Sequence, residues 1–300
     1  MIIPPYLKAG DKVGMVSPAG KVNEKLVLGA VQTIESWGLE VVLGKYVLGQ
    51  HFQYASYDEN RLADLQAMLD NPGLKAIFCS RGGYGSIRII DQLNFEKFTQ
   101  HTKWLVGFSD ITLLHAHLNH NVSCCSIHGP MAKTLATDPE GESSLSLKKA
   151  LFGKALSYEI PHNPYHRKGK SRGKLIGGNL AIITSLLGSQ TDFDPSGKIL
   201  FIEDIGEYLY RIDRMMWGLK RAGKFAGLSG LIVGQFSDIK DDEMPFGQTV
   251  YEIIAEHVMD HKFPLCFGFP AGHEEENLAL VFGKEYELNV NNLVSKVKLV

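Results

Sequence analysis

The chain has 300 residues, of which 44% are hydrophobic and 21% charged, a composition typical of a globular protein with one large or two moderate domains. Its formal net charge of -2 provides no broad basic surface for a nucleic-acid backbone, so a nucleic-acid role is disfavoured. No stretch approaches the roughly 18 uninterrupted apolar residues of a membrane span. The N-terminal stretch is too short and too interrupted by proline to be a signal peptide's apolar region. We therefore expect a cytoplasmic protein that does not contact a membrane.

The cysteines indicate buried thiols in a reducing compartment. Adjacent Cys124 and Cys125 are poorly placed to bond each other, and the sequence has no C-x-x-C pair. A zinc site formed by these two residues with His120 and His128 is the alternative, but its spacing matches no common zinc finger or ribbon. We expect no metal site here.

The first half of the chain alternates short apolar runs with amphipathic stretches. Strands are predicted at 13–16, 39–43, 74–79, 104–106 and 122–127, and helices at 23–37, 57–69, 84–93 and 111–119. Strands alternating with helices of this length predict an α/β fold with a parallel, doubly wound sheet.

The alternating pattern breaks after the first half, and this break sets the predicted domains. A polar, basic stretch rich in turn formers indicates an interdomain linker at 153–174, with a basic substrate-binding patch as the alternative. The predicted domains are thus 1–152 and 175–300. The last strands of the second half, predicted at 278–281, 286–290 and 297–300, have no helices between them. They predict a β-rich C-terminal domain, α+β or barrel-like.

A serine lies on the turn between a predicted strand and a predicted helix. The run Trp104–Val106 leads into Gly107-Phe108-Ser109, and a helix begins almost at once. Ser109 thus lies at the carboxyl edge of a parallel sheet, and the N–H groups of the helix N-terminus suit a developing oxyanion. The turn is similar to the Gly-x-Ser-x-Gly nucleophile elbow, although Ile111 replaces the last glycine. The alternative is that Ser109 or Asp110 caps the helix.

A glycine-rich loop follows another predicted strand, at 79–86. Three glycines in four positions permit positive φ and close approach of the backbone to a ligand. Gly83-x-Gly85-x-x-Arg88 lacks the final glycine of a dinucleotide fingerprint. The loop is therefore either a tight turn or a cradle of backbone N–H groups.

An acid and two histidines end other predicted strands. Glu203 ends an apolar strand, where a carboxylate is costly to bury without a partner, and no local residue provides one. His273 follows a strand and a loop shaped by proline and glycine, whereas His128 ends another strand and is a rival base. Ser109, Glu203 and His273 would satisfy the Ser-His-acid arrangement, which depends on geometry and not on chain order. Periodicity leaves both histidines open.

Together these segments resemble the LD-carboxypeptidase family of serine peptidases, also called muramoyltetrapeptide carboxypeptidases. The motifs that carry the resemblance lie, in chain order, at 16–20, 81–85, 107–110, 128–130, 177–180, 201–204, 210–215 and 268–273. The resemblance implies a triad of Ser109, Glu203 and His273. It also implies an oxyanion hole formed by the backbone N–H groups of Gly83 and Asp110.

The resemblance also implies a fold and a substrate. Family members pair a Rossmann-like N-terminal domain with a smaller β-rich C-terminal domain, have the site between them, form homodimers and use no metal or organic cofactor. Their typical substrate is a cytoplasmic murein peptide that loses its terminal D-alanine during cell-wall recycling. From position alone, Arg81 is our candidate for binding the substrate carboxylate. His128, the rival base, is otherwise assigned to substrate binding.

Two other functions are alternatives. A microcin-immunity-type serine peptidase would cleave aminoacyl-nucleotide conjugates. A non-catalytic small-molecule or nucleotide-binding protein would also be compatible with a doubly wound sheet. The missing phosphate-binding fingerprints and the unexplained Glu203 disfavour the second alternative.

Overall fold

The computed structural model describes residues 1–300, which fall into two compact units. The N-terminal unit comprises Met1–Ala155 and Leu278–Phe282, and the smaller C-terminal unit comprises Leu156–Asn277 and Gly283–Val300. The N-terminal unit thus takes one strand from late in the chain. None of the helices combines the length and the apolar character needed to cross a bilayer.

The structure contains 13 strands and nine helices. The strands are β1 (Lys12–Val16), β2 (Glu40–Leu43), β3 (Leu74–Cys79), β4 (Trp104–Gly107), β5 (Ser126–His128), β6 (Ser157–Pro161), β7 (Gly169–Asn179), β8 (Ile199–Ile205), β9 (Gly230–Ser237), β10 (Leu265–Phe267), β11 (Leu280–Phe282), β12 (Glu285–Val290) and β13 (Val294–Leu299). The helices are α1 (Glu24–Ser36), α2 (Asp58–Asp70), α3 (Glu96–Gln100), α4 (Thr112–His120), α5 (Ala132–Thr137), α6 (Glu142–Leu151), α7 (Leu180–Ser185), α8 (Leu209–Arg221) and α9 (Val250–His257).

A six-stranded sheet forms the centre of the N-terminal unit, in the order β11-β5-β4-β3-β1-β2. Neighbours among β1 to β5 are parallel, and β11 is antiparallel to β5 at one edge. The central strands are buried almost throughout, as expected for parallel strands covered on both faces. The loops after β1, β3 and β4 therefore meet at one edge of this sheet, the carboxyl edge. The predicted α/β class is confirmed.

A seven-stranded sheet forms the centre of the C-terminal unit, in the order β10-β9-β8-β7-β12-β13-β6. Strands β7 to β10 pair in parallel, and the remaining pairs are antiparallel. Arg167 lies in the connection that leaves β6, and its backbone pairs with that of Leu265 in β10. Because β6 and β10 are the two ends of the strand order, this bridge indicates that the sheet curls back on itself. The expectation of a smaller, β-rich and barrel-like C-terminal domain is confirmed.

The segment expected to be a linker, 153–174, contains β6 and the first residues of β7. Its polar residues alternate with apolar ones along strands that have one exposed face. One of its basic residues, Arg172, forms an ion pair with Glu285 on the neighbouring strand, at 2.7 Å. The polar composition therefore reflects exposed strand residues and the connection between the two strands, 162–168.

The helix predicted at 84–93 is replaced by two short 3₁₀ turns, Ser86–Arg88 and Ile90–Gln92. Gly83 and Gly85 have φ values of 95° and 142°, which exclude an α-helical start at this point. The residues before the first turn instead form a loop at the carboxyl edge of the sheet.

Candidate active site

Ser109 lies on a strained turn between β4 and α4. Its φ is 63°, in the left-handed region that is uncommon for residues other than glycine. Residues 109–111 form a single 3₁₀ turn that leads into α4. Ile111 is the N-cap of α4 and makes no side-chain capping bond, so neither Ser109 nor Asp110 caps this helix. Strain of this kind at a strand-to-helix turn is typical of a nucleophile elbow.

The glycine-rich loop packs against this turn at Gly82. A β-carbon on Gly82 would lie 2.8 Å from Cβ of Ser109, 3.1 Å from its Oγ and 3.2 Å from the backbone nitrogen of Asp110. Only glycine permits this approach. The Gly82 carbonyl accepts a hydrogen bond from the backbone N–H of Gly20, at 2.8 Å, which joins the loop after β3 to the loop after β1. The assignment of the Gly83 and Asp110 N–H groups to an oxyanion hole stays a prediction.

Asp110 has a structural partner of its own. Its side chain is 2% exposed, and its Oδ2 accepts a hydrogen bond of 2.8 Å from the backbone N–H of Ser86. Desolvation raises the pKa of this carboxyl, while the bond from Ser86 opposes the increase. Asp110 thereby connects the Ser109 turn with the glycine-rich loop.

A buried histidine supports the strand that ends at this turn. His115 is fully buried, with its Nε2 2.8 Å from the carbonyl oxygen of Gly107 and its Nδ1 2.9 Å from Oγ of Ser126. Because a carbonyl can only accept, Nε2 carries the proton and Nδ1 accepts from the serine. Burial lowers the pKa of His115 to about 4, so the ring is neutral near neutral pH. Its role is to hold the end of β4.

The two residues predicted to bind substrate differ in exposure. Arg81 is exposed, and its Nη1 donates a hydrogen bond of 2.7 Å to the carbonyl oxygen of Lys21, so the guanidinium anchors its own loop. His128 is fully buried, with ring centroids 5.7 Å from Phe108 and 5.5 Å from Phe282. Direct contact with substrate is therefore easier for Arg81 than for His128.

The C-terminal unit brings the predicted acid and base together. Nδ1 of His273 lies 2.7 Å from Oε2 of Glu203, near the end of β8. The Glu203 side chain is 0% exposed, whereas that of His273 is 13% exposed. Because a carboxylate accepts, Nδ1 carries the proton of a neutral ring and Nε2 has the lone pair of a base. This partner, 70 residues away in sequence, explains the buried acid for which no local partner existed.

The side chain of Gln235 holds the loop that carries His273. Its Oε1 accepts from the backbone N–H of Glu274, at 3.0 Å, and its Nε2 donates to the carbonyl of Glu276, at 2.9 Å. Gly272, with φ 146°, permits the close approach, since its β-carbon would lie 2.9 Å from Cβ of Gln235. Sequence reasoning missed Gln235, because a single amide side chain within a strand, here β9, carries no functional signal of its own.

Asp204, the neighbour of Glu203, has a structural role. Its carboxylate accepts from the side chain of Asn179, at 2.9 Å, and from the backbone N–H groups of Ala181 and Ile205. Burial, and secondly the charge of Glu203, raise the pKa of Asp204 to about 7. These bonds connect β8 to the N-terminus of α7 on the face of the strand opposite Glu203.

A cleft of about 1070 Å³ lies beside His273 within the C-terminal unit. Its lining combines acidic and aromatic side chains, among them Tyr165, Asp238, Tyr251, Glu274 and Glu275. The histidine is therefore accessible to a ligand, unlike Glu203. No cluster of three or more His, Cys, Asp or Glu side chains has the arrangement needed to hold a metal ion.

Comparison with known proteins identifies the family. The model of the LD-carboxypeptidase N-terminal domain matches residues 13–129, and that of the LD-carboxypeptidase C-terminal domain matches residues 172–288. A probable murein peptide carboxypeptidase from Bacillus subtilis (strain 168) is 34% identical over 290 residues, which cover 95% of this chain and 91% of the relative. The chain belongs to the LD-carboxypeptidase family. Membership confirms the resemblance and places the chain among peptidases, which are hydrolases.

Solved structures of this fold agree with the assignment. The crystal structure of a muramoyltetrapeptide carboxypeptidase from Oxalobacter formigenes has a TM-score of 0.87 and 26% identity, covering 96% of this chain and 98% of the other. A microcin C7 self-immunity protein in complex with aspartyl sulfamoyl adenosine has the same TM-score at 22% identity, covering 99% of this chain and 98% of the other. The second comparison shows a shared fold alone.

Proposed function

We propose that this LD-carboxypeptidase family member is a serine peptidase that removes the terminal D-alanine of cytoplasmic murein tetrapeptides during cell-wall recycling. The observation that carries the proposal is the 2.7 Å contact between His273 and the fully buried Glu203. The strained Ser109 turn supports it, because it provides a nucleophile of the expected kind. The family models and the name of the B. subtilis relative support the choice of substrate class.

In the first step, Ser109 attacks the carbonyl carbon that precedes D-alanine. Nε2 of His273 takes the proton from the serine Oγ as the new C–O bond forms. Glu203 keeps the imidazole in the correct tautomer through Nδ1 and stabilises the imidazolium that results. The reaction therefore requires the side chains of Ser109 and His273 to reach the same substrate carbonyl.

The tetrahedral oxyanion then accepts hydrogen bonds from the backbone N–H groups of Gly83 and Asp110. Loss of one such donor in related chemistry costs about 3 kcal/mol of barrier. As the C–N bond breaks, His273 returns the proton to the departing amine of D-alanine. Water then attacks the acyl-enzyme, with His273 again as the base, and releases the shortened peptide. These steps require no metal ion or organic cofactor.

Arg81 is our candidate for the terminal carboxylate of the substrate. Guanidinium has five N–H donors, so a bond from Nη1 to Lys21 is compatible with a second, bidentate contact. We assign His128 an indirect role in substrate binding. Its ring packs against that of Phe108, the residue before Ser109, and so supports the position of that ring. A homodimer in the cytoplasm, as implied by the family resemblance, completes the proposal.

The test is release of D-alanine from a disaccharide-free murein tetrapeptide by the purified protein. Ser109→Ala should lose nearly all turnover while it stays folded, whereas the exposed-site control Ser36→Ala should keep wild-type turnover. Separate alanine substitutions at His273 and His128 identify the base, because substitution of the true base should lower kcat by orders of magnitude. Release of D-alanine at the wild-type rate by Ser109→Ala would overturn the proposal.

A second candidate is hydrolysis of an aminoacyl-nucleotide conjugate. It is favoured by Tyr165 and Tyr251 in the cleft beside His273, since aromatic rings can stack on a nucleobase. Comparison of kcat/KM for a murein tetrapeptide and for an acyl sulfamoyl adenosine separates the two. We expect the murein peptide to be the better substrate.

A further inference from the structure

A buried arginine reaches the glycine-rich loop from α2. Arg61 is 1% exposed, which is unusual for arginine and requires partners for its charge. Its Nη1 donates to the carbonyl oxygens of Gly85, at 3.0 Å, and Pro18, and its Nη2 pairs with Asp58. One guanidinium thus joins the loop after β1 to the loop after β3.

The peptide group between Gly85 and Ser86 is held from both ends. Arg61 donates to its carbonyl oxygen, and the carboxylate of Asp110 accepts from its N–H at 2.8 Å. Because the C=O and N–H of a trans peptide point in opposite directions, the cation and the anion lie on opposite sides of it. Their charges are aligned with the peptide dipole, so each strengthens the other's hydrogen bond.

The charge of Asp110 links this arrangement to the proposed reaction, because it lies beside the place where the oxyanion would form. Asp110 directly follows Ser109, and its own N–H is a proposed donor to the oxyanion. An uncompensated carboxylate here would oppose negative charge developing on the substrate, and in a buried site that repulsion is little screened. Arg61 provides the compensating positive charge, and its interaction with Asp110 favours the ionised form of that carboxyl.

We propose that Arg61 and Asp110 are positioning residues that clamp the Gly85–Ser86 peptide, and through it hold the glycine-rich loop against Ser109. This inference rests on the proposed role of Ser109 as nucleophile. The loop packs against the Ser109 turn at Gly82, three residues before the clamped peptide, so movement of the peptide displaces the backbone that faces Oγ. Loss of the clamp should therefore lower kcat and leave KM nearly unchanged.

A double-mutant cycle tests the clamp. Arg61→Met, Asp110→Ala and the double variant are compared for kcat and KM of D-alanine release and for the rate at which a fluorophosphonate labels Ser109, since alanine removes the acceptor of the Ser86 N–H. We expect each single change to lower kcat and the labelling rate about 10- to 100-fold, with KM within about threefold. The kcat and labelling rate of the double variant should be no lower than those of the less active single variant, because both changes remove one shared interaction. Thermal unfolding of each variant shows that the rates describe folded protein.

Arg88→Met is the matched control, because Arg88 pairs with the same Asp58 but is exposed to solvent. It should change kcat by less than about twofold. If Arg61→Met does not fold, Arg61→Lys replaces it in the cycle, since lysine keeps the charge but lacks the fork that reaches two carbonyls. We expect Arg61→Lys to lower kcat by less than the 10- to 100-fold expected for Arg61→Met.

The outcomes separate this inference from the proposed function. Additive effects in the cycle, or full labelling rates in folded Arg61 and Asp110 variants, would overturn the clamp. A wild-type protein that is labelled at Ser109 but releases no D-alanine would refute the substrate alone, and the labelling rates would still decide the clamp. A wild-type protein that is not labelled at all would overturn both.

Discussion

The two units stabilise their reactive groups in different ways. In the N-terminal unit the energetic cost is backbone strain, because the neighbours of Ser109 hold it at a left-handed φ of 63°. In the C-terminal unit no residue of β8 has a positive φ, although its pairing with β9 shifts register beside Glu203, and the energetic cost lies in desolvating a carboxylate that is 0% exposed. The proposed nucleophile is thus presented by backbone geometry, and the proposed base is oriented by a buried carboxylate.

This difference determines which substitutions each region tolerates. A strained turn depends on the close packing of its surroundings, so it is sensitive to added volume at Gly82. A buried carboxylate depends on its hydrogen-bonded partner, so it is sensitive to a change of charge that leaves its volume unaltered. Removing the charge of Glu203 without changing its shape therefore tests the C-terminal unit. Adding one methyl group at Gly82 tests the N-terminal unit.

The largest effect is expected from Glu203→Gln. Glutamine keeps the shape of the side chain, but its amide no longer fixes the protonated Nδ1 of His273 or stabilises the imidazolium. Loss of the orienting carboxylate in a Ser-His-acid triad costs about 10⁴-fold in kcat. Steady-state kinetics of D-alanine release measure the effect.

Glu207→Gln is the control for that experiment, because Glu207 lies in the same segment and its partly exposed side chain pairs with the exposed Arg211, at 3.7 Å. Its kcat should stay within about twofold of the wild type. A Glu203→Gln enzyme as active as Glu207→Gln would contradict the orienting role of the buried acid.

A smaller loss of activity is expected from Gly82→Ala. The new methyl group would lie 2.8 Å from Cβ of Ser109, so the loop or the nucleophile turn must move. A misplacement of about 1 Å costs about 10²-fold in rate, which we expect in kcat. Gly218→Ala in α8 is the control, since its nearest neighbour lies at 3.8 Å and alanine favours the helix. Wild-type kcat in Gly82→Ala would show that the loop does not position the nucleophile.

The sequence predicts the elements of the site better than their connections. Ser109 and Glu203 were identifiable because each lies at the end of an apolar run, and open α/β sheets bind ligands at the carboxyl ends of their strands. Glu203 also lacked a local partner, and the structure provides His273 from a distant loop. Periodicity alone could not choose between His273 and His128, because both follow strands.

Where the sequence misled, long-range contacts overrode local pattern. The predicted helix at 84–93 fails because Gly83 and Gly85 have positive φ and Asp110 binds the N–H of Ser86. The buried role of Arg61 was not predictable, since the carbonyls of Pro18 and Gly85 lie far from it in sequence and its position on α2, three residues after Asp58, resembles that of a surface residue in a local ion pair.

The smallest expected effect is a difference in folding stability between two variants of Ser109, the proposed nucleophile, which separates its backbone strain from its chemical role. Ser109→Ala and Ser109→Gly both lack the hydroxyl, but only glycine adopts a φ of 63° without a steric penalty, so glycine should be the more stable by about 1 kcal/mol. The same pair of substitutions at Ser36, the last residue of α1, should give the opposite order, because alanine favours a helix by about 1 kcal/mol over glycine. Urea unfolding, with equal m-values as the condition for comparison, measures both differences. An alanine variant at 109 that is at least as stable as the glycine variant would show that the turn stores no strain, and the contrast between a geometric and an electrostatic region would then be wrong.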